Sequence, residues 1–506
     1  MRRRLLGCLV TLAMLLSASA CTQVRNPATG ELQYTSLSPE EEARLGRAEH
    51  PRALAQFGGT YGDAQLQAYV ERVGTRVKNA SEMAGEDFTF TLLDSDMVNA
   101  FALPGGYVYV TRGLLALAND EAELAGVLGH EVGHITARHT AQRYDRAQAG
   151  QLGTVAAQVL GALGGAYLGG AEGARLGGQF GGQLGSLGAA AYVQGFSREQ
   201  EFEADQLGIR YLAGAGYDPT AMATFLEALQ ANDAFEARRA GRSQEDENLF
   251  SGWLRSHPRT PDRVARAAEN EASATPGARD TERAAFLAAI DGMIYGENPA
   301  QGFVRGNRFE HPVLRIAFDA PPGFRLQNSP SAVLGTDGRG RFLLFDMAPE
   351  GTGGGDLRGY LQNEWVTNQR LQDLRSLTVN GLDAAVGFGR VALNDQPAQA
   401  MFSAVRAADG KVYRLLYARA GNLTRTDVAA FEESLRSFRG LTASEAAALR
   451  PMRIEVVTVG PGDTVQSLAG RMEVDENAQA LFELLNGLDR GRRLEPGAQV
   501  KLIRRG

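Results

Sequence analysis

Apolar and polar positions follow two different patterns along the chain, and the pattern changes near residue 305. Before that point most segments are predicted as helices, with short strands over 88–94 and 107–111. Beyond it, runs such as "GRFLLFDM" and "KVYRLLYARAG" predict strands, with helical stretches between and after them. The pattern predicts a multidomain α+β protein, in which a mostly helical domain precedes an α/β domain.

Capping residues mark three helix starts in the N-terminal part of the chain. Ser38 is followed by a proline and three glutamates, which is a favourable composition for a first helical turn. Asp120 with Glu123, and Ser197 with Gln200, follow the capping-box pattern. We therefore expect helices that begin near residue 39, that span about 120–143, and that span 197–213.

The chain is too long for one compact core, because single domains rarely exceed about 300 residues. After residue 451 the pattern changes again, to a strand, a Pro-Gly-Asp-Thr turn, two helices and a closing strand, a βααβ order. We therefore predict five parts: a signal peptide over 1–20, a tether over 21–38, a mostly helical domain over 39–300, an α/β sandwich domain over 301–445, and a small unit over 453–506.

Composition and charge narrow the class of function. The formal net charge of the 506-residue chain is −7. A nucleic-acid-binding protein would normally carry a basic surface, so no nucleic-acid partner is expected. Beyond the N-terminal segment there is no uninterrupted apolar run of transmembrane length. A lipid anchor is therefore the one expected attachment to a membrane.

The N-terminal segment has the features of a secretory signal peptide that ends at a cysteine. Three arginines precede an apolar stretch that is short for a membrane span, and "SASAC" then ends at Cys21. This ending resembles a bacterial lipobox, although Ala18 stands where leucine is usual, and it also fits an ordinary signal-peptidase site. Lipidation would remove the problem of a lone thiol in an oxidising compartment. The residue after Cys21 is Thr22 and not an aspartate, which fits sorting to the outer membrane. We therefore expect a periplasmic protein that is anchored to the outer membrane.

Residues 150–195 are unusually rich in glycine and alanine. One interpretation is a membrane-associated hairpin with small-residue packing. The other is a pair of close-packed helices or a flexible flap within a soluble domain, which the Gly and Gln interruptions favour. Because the segment lies between two motifs assigned to one site, it is also a candidate cover for that site.

The sequence "HEVGH" carries the first candidate chemistry. His130 and His134 are four residues apart on a predicted helix, so both imidazoles point to one side and can chelate zinc. Glu131 lies beside the first histidine and can accept a proton from a water molecule that zinc acidifies to a pKa of about 7. The alternative is a helix with surface histidines, but neighbouring apolar residues place these histidines on the interior face. We predict one Zn²⁺ per chain.

A catalytic zinc needs a third protein ligand, and "SREQEFEADQLG" supplies one. Glu201 can bind the metal, and Asp205, four residues later, can accept a hydrogen bond from a zinc-binding histidine. Glu203 lies off that face, and His139 lies about half a turn from the metal face, so neither is predicted as a ligand. The alternative for this segment alone is a solvated acidic helix. The remaining histidines outside any motif, His50 and His311, are interpreted as structural.

With these motifs the sequence resembles a known family, the HtpX/BepA-type gluzincin zinc metalloendopeptidases, which include the CAAX prenyl proteases. The shared motifs are "NAFALPGG", "HEVGHITARH", "SREQEFEAD" and "HPRTPDR", over about residues 40–270. The membrane spans of HtpX are absent, so the periplasmic lipoprotein branch matches better. The resemblance implies a zincin-like domain with the following residues: zinc ligands His130, His134 and Glu201, general base Glu131, and Asp205 behind the ligands.

Two further sets of residues are assigned with the resemblance. His257 either donates to the oxyanion of the tetrahedral intermediate or caps the zinc in a latent state, with Arg263 assisting; the alternative is an ordinary histidine at a helix start. The motif "NAFALPGG" places Asn99, Ala100, Phe101 and Ala102 along the edge of the substrate cleft. There a substrate strand could add by backbone pairing.

The later segments carry weaker resemblances. Residues 453–506 resemble a LysM module, which implies binding to peptidoglycan; the alternative is a retained scaffold that contacts the protease domain. Residues 301–445 weakly resemble the PsbP/Mog-type sandwich and contain no catalytic constellation, so substrate or partner binding is expected.

The family resemblance implies hydrolysis of peptide bonds in misfolded or unassembled envelope proteins. Two alternatives stay open: a chaperone or assembly factor with a latent zinc, and a peptidoglycan-associated hydrolase.

Overall fold

The computed structural model describes residues 22–149, 196–239, 257, 263, 281–393, 396–474 and 476–506. The predicted signal peptide, Cys21 and the segment 150–195 lie outside these residues. The described part contains helices and several sheets, which confirms a mixed α+β protein. No helix in this part is both long enough and apolar enough to cross a membrane.

The first residues of the described chain, within the predicted tether, form a hairpin. Strands β1 (Thr22–Arg25) and β2 (Leu32–Thr35) pair in antiparallel fashion. The backbone N–H of Ala28 donates to the carbonyl of Thr136 at 3.3 Å, and the side-chain amide of Asn26 donates to the carbonyl of Ala137 at 3.1 Å. The hairpin loop is thus held at the end of a helix that proves central to the site.

Helices dominate the following segment, and three of the eight given below begin where the capping residues predict. Ser38, Asp120 and Ser197 each accept a hydrogen bond from the first turn of the helix that follows. The helices are α1 (Pro39–Gln56), α2 (Ala64–Lys78), α3 (Arg112–Leu117), α4 (Glu121–Thr136), α5 (His139–Ala149), α6 (Arg198–Gly214), α7 (Ala221–Arg239) and α8 (Arg283–Ile290).

The prediction of a single helix over about 120–143 is wrong, because α4 ends at Thr136 and α5 begins at His139. Arg138 adopts the left-handed conformation with φ of 56°. A buried network stabilises this uncommon backbone, since the Arg138 guanidinium donates to the carboxylate of Glu42 and to the carbonyl of Leu37. The break between the two helices changes the direction of the chain after His134, the second histidine of the motif.

A small sheet lies beside α4. Strands β3 (Thr89–Leu93) and β5 (Tyr107–Thr111) are parallel, and β4 (Ala100–Leu103) pairs with β5 in antiparallel fashion. The order is β3-β5-β4, so β4 is an edge strand within the described residues. Helices α4 and α6 pack against each other with glycine at the contact: a Cβ on Gly133 would lie 3.1 Å from the carbonyl oxygen of Ala204. This close approach lets side chains of both helices meet.

The middle segment forms two antiparallel sheets around aromatic cores. The strands and helices of this segment are β7 (Phe303–Arg305), β8 (Arg308–His311), β9 (Ile316–Asp319), β10 (Arg325–Asn328), β11 (Ala332–Thr336), β12 (Arg341–Met347), α9 (Leu357–Tyr360), a π-helical turn (Leu361–Trp365), β13 (Gln372–Val379), β14 (Leu382–Leu393), β15 (Gln396–Arg406), β16 (Val412–Ala420), α10 (Arg425–Ser437), β17 (Arg439–Gly440) and α11 (Ala443–Ala448). The seven-stranded sheet has the order β10-β11-β12-β16-β15-β14-β13, and a four-stranded sheet has the order β17-β9-β8-β7. Helix α10 covers one side of the larger sheet through Phe431 and Leu435.

The C-terminal segment has the predicted order of strand, helix, helix and strand. Its elements are β18 (Met452–Thr458), α12 (Val465–Ala469), α13 (Ala478–Asn486), a 3-10 turn (Leu488–Arg490) and β19 (Gln499–Arg505). It shares its hydrophobic core with the helices of the N-terminal domain, and β18 also pairs with β6 (Ile294–Tyr295). This segment is therefore packed into the N-terminal domain, whereas its identity as a LysM module stays a prediction.

Candidate metal centre

Helix α4 carries the two histidines of the motif into the protein interior. His130 and His134 are buried, and their Nε2 atoms lie 3.0 Å apart. The spacing of four residues accounts for this convergence, because side chains at i and i+4 lie one above the other on the same helix face. The structure thus places both imidazoles on the interior side of α4.

Two further residues complete the cluster from other parts of the chain. Glu201, on the first turn of α6, places one carboxylate oxygen 3.5 Å from Nε2 of His134 and the other 3.7 Å from Nε2 of His130. His257 places Nδ1 3.1 Å from Nε2 of His130 and 3.0 Å from Oε1 of Glu201. One atom from each of these four buried side chains lies within 4.8 Å of the others.

The donor set fits zinc. Imidazole nitrogens and a carboxylate oxygen are ordinary zinc ligands, and tetrahedral bonds of about 2.1 Å place donor atoms about 3.4 Å apart. The separations of 3.0 to 3.7 Å found here bracket that value. Four donors converge, so the side chain of His257 lies where a fourth protein ligand would stand.

Behind the cluster, a buried carboxylate and guanidinium hold the ligands in place. Nδ1 of His130 lies 2.9 Å from Oδ1 of Asp205. Arg263 donates to both oxygens of Asp205 at 2.7 Å in a bidentate pair, and its third nitrogen lies 2.8 Å from Oε2 of Glu201. The Asp205 carboxylate therefore lies beside His130, and the Arg263 guanidinium contacts the carboxylates of both Asp205 and Glu201.

The electrostatics of the site favour the ionised form of Glu201 and the neutral form of His134, which are the forms that bind a metal. Burial opposes ionisation of Glu201, yet the His257 imidazole and the Arg263 guanidinium outweigh it and hold the pKa of this carboxyl below its ordinary value. Burial is also outweighed at Asp205, where Arg263 holds the pKa well below the usual range. Burial and the neighbouring His130 lower the pKa of His134 well below its ordinary value, so this imidazole is neutral.

Glu131 lies next to the cluster without belonging to it. Its side chain is buried, and Oε1 lies 3.5 Å from Nε2 of His257. The carboxylate is thus on the side of the cluster that His257 closes. This is where a group that exchanges a proton with a reacting water would have to lie.

Sequence reasoning missed two residues of the site. Nδ1 of His134 lies 2.9 Å from Nδ1 of His139, and Nε2 of His139 lies 3.1 Å from Oε2 of Glu203. The sequence predicts neither residue as a ligand, because a continuous helix turns His139 away from the metal face and because Glu203 lies off the ligand face of α6. The left-handed residue before His139 is not recognisable from local sequence, so the signal was absent.

The predicted cleft residues lie on and before the edge strand. Asn99 precedes β4 and its carbonyl accepts the N–H of Thr111 at 3.0 Å, while Ala100, Phe101 and Ala102 belong to β4. Strand β4 packs against α4, the helix of the two histidines. Within the described residues β4 is thus an edge strand beside the metal helix.

The buried His-His-Glu-His cluster lies within residues 64–271, which match the model of Peptidase family M48. This match supports the predicted zinc metallopeptidase. Among relatives, a Vibrio cholerae protein is 30% identical over 270 residues, which are 53% of this chain and 51% of that protein. The beta-barrel assembly-enhancing protease of Escherichia coli is 29% identical over 219 residues, 42% of each chain. The mitochondrial metalloendopeptidase OMA1 of Schizosaccharomyces pombe is 30% identical over 213 residues, 40% of this chain and 57% of that protein.

These matches cover about half the length of the relatives. For the middle segment, the crystal structure of the Saccharomyces cerevisiae Ran-binding protein Mog1p aligns at 15% identity with a TM-score of 0.21, over 28% of this chain and 98% of that one. A score this low assigns no fold, so the PsbP/Mog-like sandwich stays a prediction.

Proposed function

We propose that this protein is a zinc-dependent metalloendopeptidase of the bacterial cell envelope that hydrolyses peptide bonds in misfolded or unassembled envelope proteins. The observation that carries the proposal is the buried cluster of His130, His134, Glu201 and His257, with Glu131 beside it, inside the segment that matches Peptidase family M48. The names of the Escherichia coli and fission yeast relatives support a proteolytic activity.

The residues divide the chemical work as follows. When bound, zinc supplies a Lewis acid that polarises a peptide carbonyl and acidifies water. His130, His134 and Glu201 would hold it. The Glu131 carboxylate accepts a proton as a water oxygen bonds to the carbonyl carbon, and then gives that proton to the amine nitrogen as the C–N bond breaks. Asp205 and Arg263 fix the orientation and charge of the ligands.

His257 acts as a cap in this proposal. Its Nδ1 faces Glu201 and Nε2 of His130, which is the direction of a fourth ligand rather than of a substrate oxyanion. A zinc held by four protein groups is a closed site, whereas catalysis requires an open position. His257 must therefore move aside before a substrate carbonyl can enter.

The edge strand supplies the substrate-binding side of the cleft. β4 is hydrogen-bonded on one side to β5, and its other edge is free within the described residues. An extended peptide that adds to this edge would be bound mainly through its backbone, with little demand on its sequence. Such binding suits unfolded substrates, which present extended backbone.

The proposed location is the periplasm, with a lipid on Cys21 as anchor, most simply in the outer membrane. The signal-like N-terminus supports it, and the name of the Escherichia coli relative refers to assembly of beta-barrel proteins. Peptidoglycan is a second proposed partner, through the C-terminal segment. Its resemblance to LysM is the support for this interaction.

The capped cluster also favours a second candidate function. A protein whose zinc is permanently closed by His257 would serve as an assembly factor for envelope proteins without cutting them. The two functions predict different behaviour for variants of Glu131 and His257, so a single set of measurements separates them.

The test uses the chain from Thr22 onward, with bound zinc quantified and casein as an unfolded substrate. We expect wild type to cleave casein, and Glu131→Gln to retain zinc while its kcat/KM falls by about a thousandfold or more. His257→Ala should retain zinc and cleave faster than wild type if the histidine is a cap. Stoichiometric zinc without cleavage, in wild type and in His257→Ala alike, would favour the assembly factor.

A further inference from the structure

We infer that His139 is a positioning residue for the zinc ligand His134, and that Glu203 in turn orients His139. The three side chains form a chain of contacts, with 2.9 Å between the Nδ1 atoms of His134 and His139 and 3.1 Å between Nε2 of His139 and Oε2 of Glu203. The inference rests on the proposed role of His134 as a ligand.

The direction of each hydrogen bond follows from the geometry. Nε2 of His134 is the atom that converges with Nε2 of His130, at 3.0 Å, so it is the metal-binding nitrogen. Nδ1 of His134 then carries the hydrogen and donates it to Nδ1 of His139. A neutral imidazole has one donor and one acceptor nitrogen, so His139 carries its hydrogen on Nε2 and donates it to Glu203. One tautomer for each ring satisfies every contact.

The local fold is built to hold His139 at this position. It is fully buried, where an imidazole without partners would be costly. The left-handed turn at Arg138 brings it beneath His134, and Glu42 with the Leu37 carbonyl fixes that turn from a distant part of the chain. Side chains that merely fill space would not need such a device.

The two zinc-binding histidines thus have different supports. His130 is backed by the Asp205 carboxylate, which Arg263 holds, and His134 is backed by a neutral imidazole that a half-buried carboxylate orients. Partners of this kind fix the ring of the ligand and raise its basicity, and their loss typically lowers metal affinity by about 10–100-fold. The same range is expected here for loss of His139.

The experiment compares zinc affinity by chelator competition in wild type, His139→Leu, His139→Asn and Glu203→Gln. His139→Leu removes the acceptor and should raise the zinc dissociation constant about 10–100-fold. His139→Asn places an amide oxygen near the position of Nδ1 and should restore most of the affinity. Glu203→Gln keeps an acceptor for Nε2 and should have the smallest effect. His311→Leu, a buried histidine in the middle segment, is the matched control and should leave zinc affinity unchanged.

A second readout distinguishes positioning from packing. Cobalt replaces zinc at tetrahedral sites and reports ligand geometry through its visible absorption, so His139→Leu should alter that spectrum while His139→Asn should not. Melting of the metal-free proteins records any general loss of folding. Unchanged zinc affinity and an unchanged cobalt spectrum in His139→Leu would overturn the inference, as would equal losses in the Leu and Asn variants.

These outcomes are separable from the proposed function. If wild type binds zinc but does not cleave casein, the endopeptidase proposal fails while the affinity comparison still decides the role of His139. If wild type cleaves and His139→Leu binds zinc normally, the proposed function stands and the inference fails.

Discussion

Buried charges in this protein are compensated residue by residue, and the exceptions indicate where pH will act. Arg263 is surrounded by Asp205 and Glu201, at contact distances of 2.7 and 2.8 Å. Removal of the guanidinium would leave two buried carboxylates, which is far more costly than loss of a surface ion pair. Arg112 is similarly buried against Asp94 and the carbonyl of Ile294.

Glu297 is compensated less completely, by the Val304 N–H and the nearby Arg305 guanidinium. Burial raises the pKa of its carboxyl to about 8, even though it accepts the N–H of Val304 at 2.9 Å, and nearby Asp96 raises the pKa further. The folded state therefore binds more protons than the unfolded chain between pH 4.5 and about 8. This group stabilises the fold fully at the acid end of that window, and its contribution is lost as the pH rises through it.

We predict that Glu297→Gln flattens the dependence of stability on pH. Glutamine keeps an acceptor for Val304 but carries no charge, so the variant should be more stable than wild type at pH 8.5 by about 1–2 kcal/mol, after allowance for the half-buried setting. At pH 5 the two proteins should melt at nearly the same temperature. The check is thermal unfolding at both pH values, and an equal difference at both would exclude a titration effect.

At the scale of elements, the sequence predicts what depends on neighbouring residues and fails where distant residues decide. The starts of α1, α4 and α6 were predictable, since each cap and its partner lie within one turn. The end of α4 was not, because the left-handed residue Arg138 is stabilised by Glu42, which lies far away in the chain. His139 was consequently misplaced.

The packing of α4 on α6 depends on glycine, and this predicts a specific effect of Gly133→Ala. A Cβ there would lie 3.1 Å from the carbonyl oxygen of Ala204 and 3.2 Å from Cβ of Leu207, so α6 must move away by a few tenths of an ångström. Overpacking of about 1–3 kcal/mol is partly offset by a helix-propensity gain of about 1 kcal/mol. Zinc affinity should fall, because α6 carries three acidic residues of the site, Glu201, Glu203 and Asp205.

Gly126→Ala on the same helix is the control. A Cβ at that position would meet its nearest atom, Cα of Met222, at an ordinary 3.6 Å. The variant should gain up to about 1 kcal/mol of stability and keep its zinc affinity. Chelator titration and thermal melts of both variants provide the comparison. Equal zinc affinities in Gly133→Ala and Gly126→Ala would show that the helix contact does not position the site.

At the scale of the whole molecule, sequence motifs predict which segments contribute residues to the candidate site. No sequence pattern predicts how the domains pack against each other. His130, Glu131, Glu201 and Asp205 were predictable because helical spacing fixes which side chains share a face. The sequence does not predict that the C-terminal segment packs into the core of the N-terminal domain. Apolar residues such as Phe482 and Leu502 show only that a core exists.

Lys501 ties these two parts of the molecule together. It is buried, and its Nζ donates to the carbonyls of Ala116 and Ala118 at 2.7 Å each, at the end of α3 and just before α4. Burial and then Arg283 lower the pKa of Lys501 well below its ordinary value. Whether or not it is protonated, the amine has enough donors for both carbonyls. The C-terminal strand therefore supports the segment that leads into the metal helix.

The variant Lys501→Met should weaken the contact between the C-terminal strand and the end of α3, while the side chain keeps its length. Two buried carbonyls lose their donor, so the free energy of unfolding should fall by about 2–4 kcal/mol. Amide hydrogen exchange should accelerate in β19 and also in α3, on the other side of the contact.

Lys78→Met is the matched control, because Lys78 also donates to two carbonyls, those of Ala84 and Glu86, but within one local turn. Its effect should stay near residues 78–86. If exchange in α3 is the same in Lys501→Met as in wild type, the C-terminal segment does not support the metal helix, and a separate role such as glycan binding becomes the better explanation for its presence.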